Sequence, residues 1–308
     1  MNSILNLNLT YRKLKISDYH EFKKLFQICF NKKISFDFFK WRYFGDRFSF
    51  CYGAFQSSRL IANVGMISVQ LNNKTKERIF SRHSSMVLKE YRGQGIFSDL
   101  LKKVKKMISK NVRIVIMWPN KNNFANFDID NKNIIKKKYY LYKTYSNPTL
   151  LKKTKNHSID ELFQLKKFIR KGNSLFLKNF ENFRNKYLSY QKHEYLINEF
   201  KFKKLLSFFI IKINKDKSGS NYVILEHFGS QKIKSQHLFY LMKDQNKLIF
   251  LYNKKITKPR SKLLTFIYFK IGLIKKFSSE QKKILNKKEI FLGDTDIFFT
   301  TEKYKIIK

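Results

Sequence analysis

The sequence has very little cysteine. Only Cys29 and Cys51 occur in 308 residues, too few for a disulfide framework, which excludes the small stapled secreted domains and points to a reducing compartment. Long hydrophobic runs are missing as well. The most apolar stretches, "LLSFFII" and "LLTFIYFKIGLI", fall short of the ~20 residues a membrane-spanning helix needs. The first residues, "MNSILNLNLTYRKLK", lack a charged start followed by an unbroken apolar core, so no signal peptide is expected. The expectation is a soluble, cytoplasmic protein with no membrane span and no metal site.

Acidic residues are also scarce. Asp and Glu number 22 against 65 Lys and Arg, a formal net charge of +43. Such an excess suits nucleic acid, an anionic membrane surface or small anionic ligands such as phosphates. The lysines, however, are spread along the whole chain and accompany no nucleic-acid motif. Nucleic acid is therefore not expected as the main partner, while peripheral membrane contact and phosphate-bearing ligands stay compatible with the charge.

Aromatic and aliphatic residues are plentiful. Hydrophobic residues make up 43% of the chain, with 32 Phe and 17 Tyr, so it can bury a sizeable core despite its charge. "YRKLKI" (Tyr11 to Ile16) alternates as a strand would. Asp18 and Glu21 make a capping-box pattern ahead of Tyr19, Phe22, Leu25, Phe26, Cys29 and Phe30, which fall at helical spacing. "SFDFFKWRYF" (Ser35 to Phe44) predicts a second, shorter helix. Three strands follow, "FCYGAF", "LIANVGMISVQL" and "RIFSRHSSMVL", joined by polar turns at Gln56–Arg59 and Asn72–Asn73. A glycine segment leads into a run where Phe97, Leu100, Leu101, Val104, Met107 and Ile108 form an apolar stripe opposite Lys102, Lys103, Lys105, Lys106 and Lys110. "VRIVIMW" (Val112 to Trp118) then predicts a buried strand stopped by Pro119. This order predicts an α+β unit spanning residues 1–150. Beyond it, "LLSFFIIKI", "NYVILEHF" and "KLIFLYN" predict strands, with a helix in "QKIKSQHLFYLMK". "NFENFRNKYL" (Asn179 to Leu188) aligns without a gap on "SFDFFKWRYF", which predicts that residues 151–308 form a second lobe repeating the first.

Glycine is rare at 10 residues, yet Gly93 and Gly95 stand one residue apart in "VLKEYRGQGIFSDLLKKV", between a strand and a helix. A strand that enters a glycine turn and leaves as a helix surrounds a small concavity with unpaired backbone N–H groups, at the positive end of the helix dipole. Two glycines remove the side chains that would keep a phosphate from the backbone, and Arg92 adds a charge at the mouth.

The stretch "MVLKEYRGQGIFSDLL" resembles motif A of the GNAT superfamily of N-acetyltransferases, Gln/Arg-x-x-Gly-x-Gly/Ala. It reads here as Arg92-Gly93-Gln94-Gly95-Ile96-Phe97, with Phe97 a departure where the family has a small residue. The form Arg-Gly-x-Gly-Ile-Phe is similar to that of a branch linked to bacterial surface-polysaccharide loci. Trp41-Arg42-Tyr43, Pro119-Asn120 and the late "GDTDIF" resemble further elements of that branch. The resemblance implies a GNAT-like mixed sheet flanked by helices in two tandem lobes, the second without a cofactor loop. It implies acetyl-CoA as cosubstrate, with its pyrophosphate on Arg92, Gly93, Gln94, Gly95, Ile96, Phe97 and Ser98. Its pantetheine would run between splayed strands Ser81–Leu88 and Val112–Trp118, near Asn120, Asn122 and Asn123, and its thioester carbonyl would meet the backbone N–H near Val87.

The implied reaction moves an acetyl group to a primary amine, a small-molecule acceptor such as a nucleotide-linked amino sugar. His83, expected to share a strand face with Ser85 and Val87, is the candidate catalytic base. The alternative at this position is a strand histidine that is simply hydrogen-bonded. Glu90 reads as a solvated loop charge. The family's general-acid tyrosine has no counterpart, since its place falls near Ile134–Ile135 and Tyr139 and Tyr140 come late. The missing tyrosine supports an alternative, a non-catalytic acyl-CoA-binding scaffold, and the charge of +43 would suit another, a tandem-GNAT aminoacyl transferase using charged tRNA, against which the intact cofactor loop argues.

Overall fold

The computed structural model describes residues 8–45, 48–72, 75–108, 112–117, 134–144, 155–158, 194–216, 219–244, 248–252, 261–273 and 279. Two compact units make up the chain: residues 1–69 with 77–117, and residues 70–76 with 118–308.

The first unit follows the order expected from the sequence. Strand β1 (Leu9–Lys13) precedes helices α1 (Tyr19–Phe30) and α2 (Phe36–Phe44). Strands β2 (Phe50–Gln56), β3 (Arg59–Asn72) and β4 (Thr75–Val87) come next, then helix α3 (Ile96–Ile108) and strand β5 (Val112–Met117). The strands lie in the order β1-β2-β3-β4-β5. β1–β2 and β2–β3 are antiparallel, whereas β4–β5 is parallel. The mixed sheet follows from connection length: a turn of two or three residues can only return antiparallel, and the α3 crossover is what allows β5 to run parallel.

The helices are made by aromatic packing. Phe22, Phe39 and Tyr43 are fully buried, with Phe22 4.7 Å from the Phe39 ring and 5.3 Å from the Tyr43 ring. Helix α2 starts at Ser35, whose hydroxyl accepts from the Phe38 N–H at 3.2 Å, an N-cap that satisfies one orphan amide. The capping box expected at Asp18 and Glu21 does not form. Arg12 grips the Asp18 carboxylate with two bonds of 2.7 and 2.8 Å, and the Lys15 N–H donates to it at 2.7 Å. The Arg12 hydrogen bonds hold Asp18 below the usual carboxylate range, and Glu21 pairs with Lys24 instead. In α3 the buried line is Ile96, Leu100, Val104 and Ile108. It runs at strict i, i+4 spacing, narrower than the predicted stripe, and Met107 lies outside it at 37% exposure.

In the second unit the strands are β6 (Ile134–Thr144), β7 (Lys155–Ser158), β8 (Glu194–Phe202), β9 (Leu205–Asp216), β10 (Gly219–Gly229), β11 (Leu248–Tyr252) and β12 (Ser261–Leu273). Helix α4 (Lys234–Asp244) connects β10 to β11. The strand order is β12-β6-β11-β10-β9-β8-β7. β8–β9 and β9–β10 are antiparallel, and β10–β11 is parallel. Three consecutive strands, a 3-10 turn, a helix and a parallel strand thus recur: β2-β3-β4, Lys89–Tyr91, α3, β5 in the first unit and β8-β9-β10, Gln231–Ile233, α4, β11 in the second. Helix α4 covers one sheet face through Leu238 and Leu241, packed with Phe209, Ile211, Ile224 and Leu248. The segment Asn179–Leu188 and the late "GDTDIF" lie outside the described residues.

Beneath α4 runs a chain of buried polar groups with a single consistent sense. In a neutral His237 ring, Nε2–H donates to Asn198 Oδ1 at 2.8 Å and Nδ1 accepts from the Ser207 hydroxyl at 2.8 Å. Ser207 Oγ in turn accepts from His227 Nε2–H at 2.9 Å, and Asn198 donates to Asn156 at 2.6 Å. His227, His237, Ser207 and Asn198 are all fully buried. The chain satisfies every member with both rings neutral. Burial pushes His237 down to about 3, and burial, with Lys234 and His237 adding to it, lowers His227 well below its ordinary value.

The linkage has a definite sign. Above pH ~6.5 the rings are neutral whether the chain is folded or not. As pH falls below that, the unfolded chain takes up protons that the folded one refuses, so stability falls by about 1.4 kcal/mol per pH unit for each histidine. Urea midpoints measured between pH 7.5 and 5.5 should hold steady to about pH 6.5 and then drop. A midpoint that stays flat to pH 5.5 would contradict the neutral pair.

Candidate functional site

The site begins where two parallel strands cease to pair. β4 and β5 are bonded in register from Arg78↔Val112 to Ser81↔Ile116, with an irregularity after Arg78. β4 continues through Val87, and among the described residues no strand pairs with this edge of it beyond Ser81. Its other edge stays engaged with β3: the Leu88 N–H donates to Ile61 O at 3.0 Å. Amides alternate from one strand edge to the other, so the N–H and C=O of Val87 face the edge from which β5 has departed. The Val87 carbonyl accepts from Arg92 Nε at 3.0 Å and from the Cys29 thiol at 3.6 Å. Burial raises the Cys29 thiol above its ordinary value, against the opposing pull of Arg92.

Side chains on this part of β4 do not follow simple alternation. Arg82 reaches the α3 side, its Cζ 5.9 Å from the Phe97 ring centroid. Burial pushes its pKa down to about 9, which leaves it cationic at neutral pH. His83 turns to the other face, where both ring nitrogens lie 3.2 Å from Arg42 Nη2 of α2. Guanidinium only donates, so the imidazole it meets has an accepting nitrogen. Ser84 then adopts φ 42°, and its hydroxyl bonds to the Tyr43 hydroxyl, also on α2. His83 and Ser84 therefore present to the same helix. The left-handed residue breaks the period-2 pattern, so the shared face expected for His83, Ser85 and Val87 does not extend across Ser84. His83 is 2% exposed.

Past the strand, a 3-10 turn at Lys89–Tyr91 delivers the chain to the two glycines. Gly93 and Gly95 have φ of 79° and 77°, and a Cβ built on either would meet nothing within 4 Å. Both positions thus need glycine for backbone conformation and border open space. The Arg92 N–H is committed to Lys89 O at 3.2 Å, and the first bond of α3 runs from Asp99 N–H to Gly95 O at 3.0 Å. The amides of residues 96–98 precede the helical ladder. Gln94 turns away and donates to Glu90 O at 3.0 Å. Glu90 is exposed and pairs with Arg59 at 3.0 Å, in keeping with a solvated loop charge. Ile96 is buried as the first core residue of α3, and Ser98 is exposed.

The second unit has no such turn: its 3-10 turn, Gln231–Ile233, leads directly into α4 at Lys234. Gly229 ends β10 ahead of that 3-10 turn, and the Ser230 N–H bonds Leu206 O at 2.8 Å as the Leu88 N–H bonds Ile61 O in the first unit.

The structure thus brings Val87, Arg92 and the glycine loop together at the free edge of β4, and sets His83 on the α2 side. Asn120, Asn122 and Asn123 lie outside the described residues. Residues Ile134–Thr144 form β6, paired with β11 and β12, so the position where a helical tyrosine would fall is strand. Arg42, Tyr43, Asn63 and Arg82 join the neighbourhood without having been singled out as site residues from the sequence, although Trp41-Arg42-Tyr43 carried a signal as a motif. Among the described residues no cluster of His, Cys, Asp and Glu is placed to hold a metal ion, and no described helix is long and apolar enough to cross a membrane.

Comparison with known proteins gives this geometry a family context. The family model of the acetyltransferase (GNAT) domain matches residues 10–126. No curated protein matches the sequence. Among solved structures, a GCN5-related N-acetyltransferase from Anabaena variabilis is similar at a TM-score of 0.61 and 10% identity, over 87% of this chain and 73% of that one. A GCN5-related N-acetyltransferase from Kribbella flavida gives 0.56 and 9%, over 87% and 72%. Eis1 from Mycobacterium abscessus gives 0.55 and 10%, over 86% and 73%. At such identities the likeness is one of fold. The described part of the first unit has a GNAT-like fold, a five-strand mixed sheet flanked by helices.

Proposed function

We propose that the protein is an acetyl-CoA-dependent N-acetyltransferase acting on a primary amine, with a nucleotide-linked amino sugar as the favoured acceptor class. The observation that carries the reading is the open glycine turn, Arg92 to Ser98, at the start of α3 and beside the free edge of β4. Gly93 and Gly95 leave the backbone approachable, the amides of residues 96–98 precede the helical ladder, and Arg92 adds a cation, a combination suited to a diphosphate. The Val87 N–H, directed to the free edge of β4, suits a thioester carbonyl. Bound acetyl-CoA would supply the activated acyl group. The chain's part is to position the amine and remove its proton. His83 is the proposed base, acting directly or through water. Arg42 Nη2 lies 3.2 Å from both ring nitrogens, so in this role the ring would exchange that contact for the amine's proton. Asn120, Asn122 and Asn123 are proposed to bind pantetheine. Residues 151–308 are proposed as the second lobe, which shapes the acceptor site and binds no coenzyme; the direct passage from Gln231–Ile233 into α4, with no glycine turn between them, supports this division. The amino-sugar acceptor rests on the sequence resemblance, and the chain's basic character is compatible with it.

A second reading, a non-catalytic acyl-CoA-binding scaffold, is favoured by one observation. The place of the family's general-acid tyrosine falls within strand β6.

Replacing Gly95 with Val puts a branched side chain into the open turn at a positive φ. The expected result is acetyl-CoA affinity lowered at least tenfold, about 1.4 kcal/mol, in a folded protein. Calorimetry returning the wild-type dissociation constant from a folded Gly95→Val variant would remove the turn from the coenzyme site. Turnover tests the base and divides the two readings. The rate on an accepted amine should rise with pH and then level off, and His83→Ala should cut kcat roughly 10²–10⁴-fold with acetyl-CoA affinity nearly intact. Unchanged turnover and pH profile in His83→Ala would exclude the histidine. Tight acetyl-CoA binding by the wild type with no transfer to any amine would instead favour the scaffold.

A further inference from the structure

Ser84 is held in an unfavourable conformation by groups from two other elements. Its φ of 42° lies in the left-handed region, which a non-glycine residue rarely occupies without compensating contacts. The residue stands on β4, three positions beyond Ser81, the last that pairs with β5. Two polar side chains converge on it. The Tyr43 hydroxyl of α2 bonds to Ser84 Oγ, and Asn63 Nδ2 of β3 donates to Ser84 O at 3.1 Å. Tyr43 and Asn63 are both fully buried.

Neither contact is incidental to packing. Asn63 is a buried amide whose Oδ1 makes no hydrogen bond among the described residues. A core position that leaves an acceptor unmet is better filled by an apolar side chain, so the residue's use lies in its bond to Ser84. Tyr43 reaches Ser84 only because β3 carries Gly65 beneath it. A Cβ at Gly65 would lie 2.7 Å from Tyr43 Cε1 and 3.3 Å from the His83 carbonyl. A glycine without positive φ, a buried phenol and a half-satisfied amide thus meet at one strained residue.

We infer that Tyr43 and Asn63 are positioning residues, clamping Ser84 in its left-handed conformation so that the free edge of β4 from Ser85 to Val87 meets the acyl thioester. The kink re-aims every group after it. It already puts His83 and Ser84 on one face, and the same rotation sets the direction of the Val87 N–H at the free edge. The inference rests on the acyl-transfer reading of the site and adds to it a second layer of residues that touch neither substrate.

A glycine at position 84 would hold the left-handed conformation without help, which makes the clamp testable by rescue. The four proteins are the wild type, Tyr43→Phe, Ser84→Gly and the double variant, each full length and checked for a wild-type melting profile. With acetyl-CoA and an amine the wild type accepts, Tyr43→Phe in the wild-type background should lower kcat at least tenfold, with the KM for acetyl-CoA changed less than threefold. Made in the Ser84→Gly background, the same substitution should cost less than threefold. A Tyr43→Phe variant with wild-type kcat, or equal losses in the two backgrounds, would overturn the clamp; a merely structural hydroxyl would lower the melting temperature in both and give no rescue.

Calorimetry keeps the test independent of the acceptor. Acetyl-CoA affinity relative to coenzyme A should fall at least fivefold in Tyr43→Phe and recover in the double variant, since only the acylated form carries the carbonyl. An unchanged ratio in Tyr43→Phe would again overturn the clamp. A wild type that binds acetyl-CoA but transfers to no amine overturns the acyl-transfer reading alone and leaves this measurement standing.

Discussion

Everything at the candidate site depends on a hydrogen-bond ladder that stops. β4 and β5 run side by side only to Ser81 and Ile116, and a parallel pair that parts exposes backbone donors and acceptors along two edges. The chain satisfies one of these groups locally, turning Arg92 back so that its Nε meets the Val87 carbonyl, with the Cys29 thiol nearby. The same side chain thereby brings a cation to the mouth of the glycine turn. Left-handed backbone then appears at Ser84, Gly93 and Gly95, the first on the unpaired part of β4 and the others in the turn that follows. These three border the stretch where the described β4–β5 ladder has ended, which is where a ligand could replace a strand partner.

The two units put one element order to different uses. In both, three strands lead through a 3-10 turn to a helix and a parallel strand. In the first, the turn is held open by two positive-φ glycines. In the second, the 3-10 turn passes straight into α4, and polar side chains from β8, β9, β10 and α4 form an internal chain of donors and acceptors. A buried chain of that kind needs each ring in one tautomer, so it specifies packing and is sensitive to protonation. An open turn needs only backbone, so it costs the fold little and leaves room for an anion.

The sequence was most legible where period and punctuation agree. The strand, two helices, three strands, helix and strand of the first unit were readable from apolar spacing and polar turns, and so was the glycine turn. Legibility failed where a polar residue serves an interior role. Asn198 interrupts the apolar pattern of β8, so that strand went unread, yet the residue is buried and bonded to His237 and Asn156. "SKLLTFIYFKIGL" was noticed only as an apolar stretch, because a continuous run carries no period by which β12 could be told from a helix. Asp18 and Glu21 had the spacing of a capping box, but the Asp18 carboxylate is taken by a bidentate Arg12 from β1 and by the preceding Lys15 N–H.

By itself the sequence determined the mixed α+β order, the aromatic helices and a strand–glycine–helix turn bearing Arg92, because these follow from residue type at short range. Only the tertiary structure decided which way the site residues face. Strand alternation extrapolated from His83 gives the wrong partners beyond Ser84, since the left-handed kink is imposed by Tyr43 and Asn63 from other elements. Likewise it is the fold that leaves Gly93 and Gly95 bordering open space. Short-range chemistry chooses the conformations a segment can adopt, and long-range contacts choose among them.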